Sequence, residues 1–389
     1  MPLSRRSLLL GAAAGLLLPH AAFASLPGDR RLVVIILRGG MDGLHAVPPV
    51  GDPAYAGIRG GLALGAGALP LDGTFALHPA LGPLMPLWSS KELAVVHACA
   101  SPYRQRSHFD AQDILESGGT IAHALRDGWL NRALVALGGG RGSAMAIAQG
   151  LPLLLRGNAP AASWAPSPLP GLPPEQVAAL RALYAGDELM SAAFEEGAQM
   201  EAFAAEIMAE DMGGSPDRKK SSAFPGLAGA AGKLMAAADG PRLAVMELGG
   251  WDTHTSQMSR MVQPLAQLAG GITALAEALG AHWRQTVVLA MSEFGRTVAI
   301  NGTGGSDHGT GGALLLAGGA VQGGRVLADW PGLDSGNLHQ GRDLKPTTDC
   351  RAVFKALLGD HLGLPGTALD STVFPDSATV RPLAGVVRM

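Results

Sequence analysis

The chain has few cysteines, little charge and, beyond its first residues, no long hydrophobic run, and each shortage excludes a class of protein. Only two of the 389 residues, Cys99 and Cys350, are cysteines, so a disulfide-dense architecture is excluded, although a single bridge between them stays open. The formal net charge of -3 offers no positive surface for nucleic acid. No segment after the N-terminus approaches the length needed to span a membrane.

The N-terminal residues carry an export signal. A twin-arginine pattern, Ser4-Arg5-Arg6-Ser7-Leu8-Leu9, precedes an apolar stretch over 8–18 and the small-x-small cleavage site Ala22-Phe23-Ala24. The apolar stretch is too short to cross a bilayer comfortably, and a buried N-terminal helix is the alternative interpretation. The pattern predicts a signal peptide over 1–24 that the twin-arginine export machinery recognises. The mature chain would then be periplasmic or secreted, with no stable membrane span after cleavage.

Glycine and proline are abundant where cysteine is not. The chain contains 55 glycines and 27 prolines, which indicates many tight turns and long loops, and loops are where functional sites concentrate. Without the signal peptide about 365 residues remain, which is within the range of one large α/β enzyme domain with insertions. We therefore predict a single domain over 25–389.

The order of apolar runs predicts an α/β fold. Strands are expected at 32–37, 92–98, 242–248, 286–291 and 313–317, and helices at 127–137, 174–184, 188–212 and 257–279 and from about 107. Strands that alternate with helices favour a mostly parallel central sheet with helices on both faces. The residues 157–240 read as a helical insertion that contains a polar linker at 213–222.

Polar side chains follow several of these strands directly. The first strand is a continuous apolar run, typical of a strand buried on both faces, and it leads through Arg38-Gly39-Gly40-Met41 into Asp42. Three later segments have the same character: RLAVMELGGWDTH, TVVLAMSEFGRT and NGTGGSDHGTGG. In open α/β sheets ligands bind at the carboxyl ends of strands. We therefore expect six side chains to converge at that edge: Asp42, Asp252, His254, Glu293, Asp307 and His308.

This set of side chains is suited to a divalent metal. Hard cations prefer carboxylate oxygen, and zinc also accepts imidazole, so a mixed set of Asp, Glu and His favours zinc, manganese or a mixed two-metal centre. Asp252 and His254 are two residues apart, and a turn after a strand can direct both at one ion. Asp307 and His308 are adjacent in a glycine-rich loop. Each pair by itself is equally compatible with capping or loop hydrogen bonds.

A candidate nucleophile lies at the predicted start of a helix. Ser107 precedes an apolar-periodic segment, and a helix N-terminus stabilises anions and so lowers the cost of an attacking alkoxide. The alternative is an N-cap serine with Asp110 completing the capping arrangement, and one serine can serve both purposes. Arg104 and Arg106 could hold a phosphate or sulfate, or form surface ion pairs. Three further side chains are also suitable as ligands: His108, Asp110 and Asp113.

The chain resembles a bacterial family known as domain-of-unknown-function family 1501, whose members look like twin-arginine-exported relatives of the alkaline phosphatase and sulfatase superfamily. The resemblance covers nearly the whole chain. It is carried by residues 4–9, 37–44, 107–113, 127–132, 249–254, 292–297, 307–309 and 323–331.

The superfamily pattern implies an alkaline-phosphatase-like fold and a role for each site residue. It would place Ser107 as nucleophile and Asp42 on a metal through the first strand. Asp252 and His254 would bind one metal, and Glu293 and His308 would complete the other. Two departures put a second metal in doubt: Glu293-Phe294 stands where the superfamily commonly has Asp-His or Asp-Asn, and the spacing of Asp252 and His254 is narrower than usual.

These inferences together predict a periplasmic, metal-dependent hydrolase of phosphate or sulfate esters, acting on a small-molecule or polymer substrate. One or two divalent ions are expected, from zinc, manganese, calcium and magnesium. Arg296 is the candidate oxyanion clamp, with an ordinary partner of a nearby carboxylate as the alternative. The competing class is a periplasmic binding or assembly protein that retains the hydrolase fold without turnover.

Overall fold

A computed structural model describes residues 28–166, 172–209 and 223–388 of the chain. The predicted signal peptide over 1–24 and the predicted linker over 213–222 lie outside these residues. No helix in the described part of the chain combines the length and apolar character needed to cross a membrane.

The described residues contain one large sheet and one small strand pair. The small pair is β2 (Leu69–Pro70) with β3 (Ala76–Leu77). The large sheet has nine strands in the spatial order β10-β4-β9-β8-β1-β7-β5-β6, with β11 also paired to β4. Its members are β1 (Arg31–Leu37), β4 (Leu93–Ala100), β5 (Ala144–Ile147), β6 (Ala162–Trp164), β7 (Leu243–Leu248), β8 (Thr286–Ser292), β9 (Gly312–Ala317), β10 (Arg325–Leu327) and β11 (Thr348–Asp349).

The sheet is mostly parallel, which confirms the predicted fold class. Strand β1 lies at its centre and pairs in parallel with both β7 and β8. Among the described strands of the large sheet, β9 alone is antiparallel to its neighbours, β4 and β8. The start of β9 therefore lies at the same edge as the ends of β1, β4, β7 and β8. This reversal delivers the loop before β9 to the carboxyl edge of the sheet.

Helices cover both faces of the sheet. In chain order the α-helices of the described residues are α1 (Gly43–Ala46), α2 (Tyr55–Arg59), α3 (Met85–Ser89), α4 (His108–Ser117), α5 (Trp129–Ala136), α6 (Pro174–Tyr184), α7 (Glu188–Ala209), α8 (Phe224–Ala236), α9 (Gln257–Arg260), α10 (Val262–Leu279), α11 (Cys350–Ala356) and α12 (Gly366–Ala368).

The side chains of β1 alternate between two hydrophobic cores, and both cores are closed by helices. Val33, Ile35 and Leu37 belong to one core, which α8 and α10 cover. The intervening residues of β1 belong to the other, where Trp129 of α5 stacks on Phe354 of α11 at 4.9 Å between ring centroids. Burial on both faces explains why the strand is a continuous apolar run without polar alternation.

The five predicted strands all form, and their bounds differ by only a few residues. The predicted helix over 257–279 forms as α9 followed by α10, and the helix expected from about 107 forms as α4. Within 157–240, α6 contains no buried residue, whereas α8 packs into the core beside α10. Helix α8 thus belongs to the layer that covers the sheet, and strand β6, within the same range, is part of the sheet itself.

Candidate metal centre

Four chain segments meet at the carboxyl edge of the central strands. The segment after β7 carries Asp252 and His254, and the loop before β9 carries Asp307 and His308. Helix α4, which follows β4, begins at His108. Strand β8 ends directly before Glu293. The local sequence allows these segments to approach closely: a Cβ on Gly295 would lie 1.9 Å from the carbonyl oxygen of Gly311.

Three histidines surround the carboxylate of Asp252. The Nε2 atoms of His254 and His308 lie 3.0 and 3.2 Å from its Oδ1, and the Nε2 of His108 lies 3.6 Å from its Oδ2. The Nε2 atoms of His254 and His308 are themselves 3.0 Å apart. We call His108, Asp252, His254 and His308 the histidine cluster.

Each ring of the histidine cluster is held through its Nδ1 atom. His108 Nδ1 donates to Glu293 Oε1 at 2.8 Å, and His254 Nδ1 donates to Asp307 Oδ1 at 2.9 Å. His308 Nδ1 donates to the carbonyl oxygen of Arg106 at 3.0 Å. A neutral imidazole that donates from Nδ1 presents a lone pair at Nε2. Three lone pairs and one carboxylate therefore converge, and a cation between them satisfies all four.

Glu293 lies beneath His108 and is fully buried. Its Oε1 accepts from His108, from the backbone nitrogen of Gly39 at 2.8 Å and from Gln112 Nε2 at 3.1 Å. Its Oε2 accepts from Ser292 Oγ at 3.1 Å. Burial raises the pKa of Glu293, but the hydrogen bonds, led by that from His108, outweigh it and hold the pKa below its ordinary value. An ionised Glu293 can therefore orient His108.

The pKa values of two histidines in the cluster are shifted in opposite directions. The hydrogen bond to Glu293 raises the pKa of His108 despite the opposing effect of burial. Burial lowers the pKa of His308. Phe294 contacts both rings, with centroids 4.8 Å from His108 and 4.9 Å from His308, and so fixes their positions.

Arg296 is the buried cation of the site. Its guanidinium donates to Asp252 Oδ1 at 2.7 Å and to the carbonyl oxygen of Ser306. Burial raises the pKa of Asp252, but the hydrogen bond and charge of Arg296 outweigh it, so the net shift is downward. Arg296 is thus the partner of a nearby carboxylate, which was the alternative interpretation. Its role as an oxyanion clamp stays a prediction.

Asp42 and Asp307 are engaged by other side chains. Asp42 is fully buried, and its Oδ2 accepts from Arg59 and from Gln257 Nε2, each at 2.6 Å. Its Oδ1 accepts from the backbone nitrogen of His45 at 3.2 Å, at the start of α1. Asp307 contacts His254 rather than the neighbouring His308. Asp307 therefore contacts the histidine cluster through His254, and Asp42, which was predicted as a metal ligand, is instead bound by Arg59 and Gln257.

Ser107 is the N-cap residue of α4 and directly precedes His108. Its side chain makes no capping bond to the first turn of the helix, unlike the arrangement that the N-cap interpretation expects. Its backbone nitrogen donates to the hydroxyl of Tyr103 at 3.3 Å. Of its neighbours, Arg106 pairs with the buried Asp343 at 2.6 Å, and Arg104 donates to backbone carbonyls of Ser101 and Tyr103.

The residues present fit a divalent cation. Nitrogen and oxygen atoms of His108, Asp252 and His308 lie within 4.8 Å of one another. His108 Nε2 is buried and has no hydrogen-bond partner among the described residues. Imidazole nitrogens with one carboxylate are a donor set that zinc and other transition metals accept. Carboxylates that hold the opposite nitrogen of a ligating histidine are also usual at such centres.

Comparison with known families tests the resemblance. The model of a family described as a protein of unknown function, DUF1501, matches residues 74–373. The chain belongs to this family. No curated protein matches the sequence of this DUF1501 protein.

Several solved structures are similar to this DUF1501 protein at low identity. The zinc complex of the C-terminal periplasmic domain of EcEptC from Escherichia coli is 10% identical with a TM-score of 0.34, covering 76% of this chain and 75% of that one. The phosphonate monoester hydrolase of Agrobacterium radiobacter is 13% identical with a TM-score of 0.37, covering 86% and 74%. Ps i-CgsB in complex with k-i-k-neocarrahexaose is 10% identical with a TM-score of 0.40, covering 91% and 78%.

His108 is the one member of the histidine cluster that does not belong to the predicted set of metal ligands. Nothing in the sequence distinguishes His108 from the other two polar side chains beside Ser107, because its spacing to any other candidate ligand is uninformative. One signal was available: His108 is the first residue of a helix that follows a buried strand, and this places it at the carboxyl edge. Gln112, one turn later on the same helix, reaches Glu293 for the same reason.

Proposed function

We propose that this DUF1501 protein is a metal-dependent hydrolase of phosphate or sulfate esters. The observation that carries the proposal is the convergence of three imidazole Nε2 atoms on the carboxylate of Asp252, with each Nδ1 already engaged. Such an arrangement of acceptors favours a bound cation. The half-exposed carboxylate of Asp252, 44% accessible, leaves the cluster open to a substrate from solvent.

The residues around the histidine cluster have distinct roles in this proposal. His108, Asp252 and His308, with His254 beside them, would hold the ion, which supplies Lewis-acid stabilisation of the charge on the ester oxygens. Glu293 and Asp307 hold the rings of His108 and His254. Arg296 neutralises part of the charge of Asp252. Asp42 stabilises the surrounding loops through Arg59 and Gln257.

Ser107 is the proposed nucleophile. Its hydroxyl oxygen would bond to the phosphorus or sulfur of the ester as the leaving alcohol's oxygen departs, and water would then release phosphate or sulfate. Two features support this role: Ser107 adjoins His108, and its side chain is not occupied by a capping bond. The N-terminus of α4 contributes positive potential where negative charge develops.

The cellular location of the protein and its division into domains are also proposals. The twin-arginine pattern supports export and cleavage after Ala24, which would leave a periplasmic or secreted chain of residues 25–389. The proposed domain division is a single domain over 25–389 with a helical insertion over 157–240, which includes α6 and α7.

The test is elemental analysis of the protein purified from its export compartment, followed by a panel of aryl phosphate and sulfate esters. We expect stoichiometric metal, turnover of at least one ester, and loss of both in His308→Ala. His282→Ala is the matched control, because His282 lies before β8 at the opposite edge of the sheet. A metal-free protein without turnover would contradict the proposal and favour a binding or assembly protein. Bound metal without turnover would reject the proposed hydrolysis but not the proposed metal site.

A further inference from the structure

A groove of about 430 Å³ lies beside the histidine cluster on the same edge of the sheet. Helix α4 forms one wall, with Phe109 and Gln112, and the segment after β5 forms the opposite wall, with Arg156. Arg38, after β1, and Glu247, at the end of β7, line the groove between them. The volume is in the range of small-molecule sites, which begins at about 300 Å³.

The groove is connected to the cluster by one helix turn. Gln112 Nε2 donates to Glu293 Oε1, which also accepts from His108. His108 therefore faces the cluster, while Phe109 and Gln112 line the groove. The hydrogen bonds of Gln112 and His108 to Glu293 thus link the groove to the cluster.

Phe109 leaves its ring in the groove almost uncovered. The residue is 82% exposed, although it adjoins the half-buried His108. A single exposed apolar residue needs no explanation by itself. Here, however, the ring forms one wall of a concave polar site, where an aromatic face can pack against the apolar face of a ligand.

The charges of the groove are largely paired with each other. Arg38 donates to Glu116 at 2.5 Å and to Glu247. Asp113 accepts from the backbone nitrogen of His123 at 2.7 Å. Arg156 donates from Nε to the carbonyl oxygen of Leu151 at 2.8 Å.

Two arginines and three carboxylates line the groove, so the carboxylates outnumber the cations. This balance disfavours a second anionic group in the groove. Because Arg38 already pairs with Glu116 and Glu247, a small cation would also have to displace that arginine. A neutral occupant with many hydroxyl groups fits best, since carboxylate, guanidinium and amide groups offer donors and acceptors in pairs.

We propose that the groove binds a neutral sugar-like ring, which is the alcohol part of the ester that the cluster hydrolyses. The ring would place its apolar face on Phe109 and its hydroxyl groups toward Arg38, Glu247 and Arg156. The identification of the ring as the alcohol part rests on the proposed function. The binding of a sugar-like ring does not, because the groove exists independently of turnover.

Saturation-transfer NMR with a panel of methyl glycosides tests the binding directly on the metal-loaded protein. At least one glycoside should bind, and Phe109→Ala should weaken its binding at least fivefold. Leu189→Ala is the matched control, because Leu189 is a 79% exposed apolar residue on the distant helix α7. If no glycoside binds, or if Phe109→Ala binds as tightly as Leu189→Ala, the proposal is wrong. Binding of adenosine in place of every glycoside would also overturn it and indicate a nucleobase site.

A kinetic arm separates this proposal from the proposed function. Sugar phosphates and sugar sulfates are compared with the methyl esters of the same acids. Phe109→Ala should lower kcat/KM for the sugar esters by at least fivefold more than for the methyl esters. Equal losses for both would overturn the assignment of the ring as the alcohol part. Absence of turnover on every ester would reject the proposed function. The NMR experiment would still show whether the groove binds a sugar-like ring.

Discussion

The three histidines of the cluster each donate a hydrogen bond from Nδ1, but to three different kinds of acceptor. The acceptors therefore differ in how strongly they orient the ring and raise its basicity. Glu293 is buried and ionised, Asp307 is half exposed, and Arg106 offers a neutral carbonyl. A buried carboxylate on the distal nitrogen increases the basicity of the imidazole and fixes its orientation. Metal binding by His108 should therefore depend on Glu293 more strongly than metal binding by the other two histidines depends on their acceptors.

Glu293→Gln tests that dependence. The neutral amide keeps the size of the side chain but removes the charge, and it cannot accept from His108, Gly39 and Gln112 with the same strength. We expect metal affinity to fall about 10–100-fold. Competition with a chromophoric chelator measures the change, and Glu277→Gln, on the exposed side of α10, is the control. Unchanged affinity would show that Glu293 does not act through His108.

Ser107→Ala separates a nucleophile from a cap. Because Ser107 makes no side-chain capping bond, we expect the free energy of unfolding to change by less than about 0.5 kcal/mol, below the usual cost of losing a cap. Ester turnover should be abolished while metal content stays at the wild-type level. Urea denaturation, elemental analysis and the ester assay check the three expectations. A loss of about 1 kcal/mol with retained turnover would support the cap instead.

At the scale of elements, the loops after β1 and β7 touch where no side chain fits. Gly39 has a φ of +123°, and a Cβ there would lie 2.6 Å from the backbone nitrogen of Asp252. The same glycine donates its backbone nitrogen to Glu293. A single glycine thus sets the distance between Asp252 and the carboxylate that orients His108.

We expect Gly39→Ala to destabilise the fold by about 2 kcal/mol or more and to abolish stoichiometric metal binding, because it combines backbone strain with a clash against Asp252. Gly249→Ala is the control, because nothing lies within 4 Å of a Cβ at that position. It should change stability by less than about 0.5 kcal/mol. Thermal unfolding and elemental analysis of both variants provide the measurement. Equal behaviour of the two variants would contradict the close approach at Gly39.

At the scale of the whole molecule, buried neutral histidines make the fold sensitive to acid. Burial lowers the pKa of His361 to about 4, and similar burial lowers the pKa values of His45 and His97 to about 4. In the unfolded chain a histidine titrates near its ordinary value of about 6.5. Stability is therefore fully present above pH 6.5 and is lost as the pH falls toward 4, with about 3 kcal/mol at most for each ring.

The substitution His361→Gln should reduce the loss of stability between pH 6.5 and pH 4. The amide stays neutral and can still donate to the carbonyl oxygen of Arg31, as His361 Nε2 does at 2.9 Å. The difference in unfolding free energy between the variant and the wild type should therefore move in the variant's favour between pH 6.5 and 4. Urea denaturation across this range measures it. His282→Gln, at a ring that is 33% exposed, is the control, and a variant curve parallel to the wild type would exclude His361 as a source of acid sensitivity.

The family, the mostly parallel sheet and most of the residues around the site can be predicted from the amino-acid sequence alone. Continuous apolar runs report strands that are buried on both faces, as β1 is, and parallel strands necessarily end at a common edge. That is why Asp252, His254, Glu293 and His308 could be expected near one another from positions far apart in the chain.

Which side chains belong to the histidine cluster and which support it cannot be read from the sequence, because both depend on contacts between distant segments. The reversal of β9, the partnership of Asp42 with Arg59 and the inward position of His108 all depend on packing between distant segments. Residue type shows that a carboxylate can ligate a metal, but its orientation depends on the donors around it. The sequence therefore shows which chemistry a histidine or an aspartate can perform. Its role in the site depends on the side chains that the fold places around it.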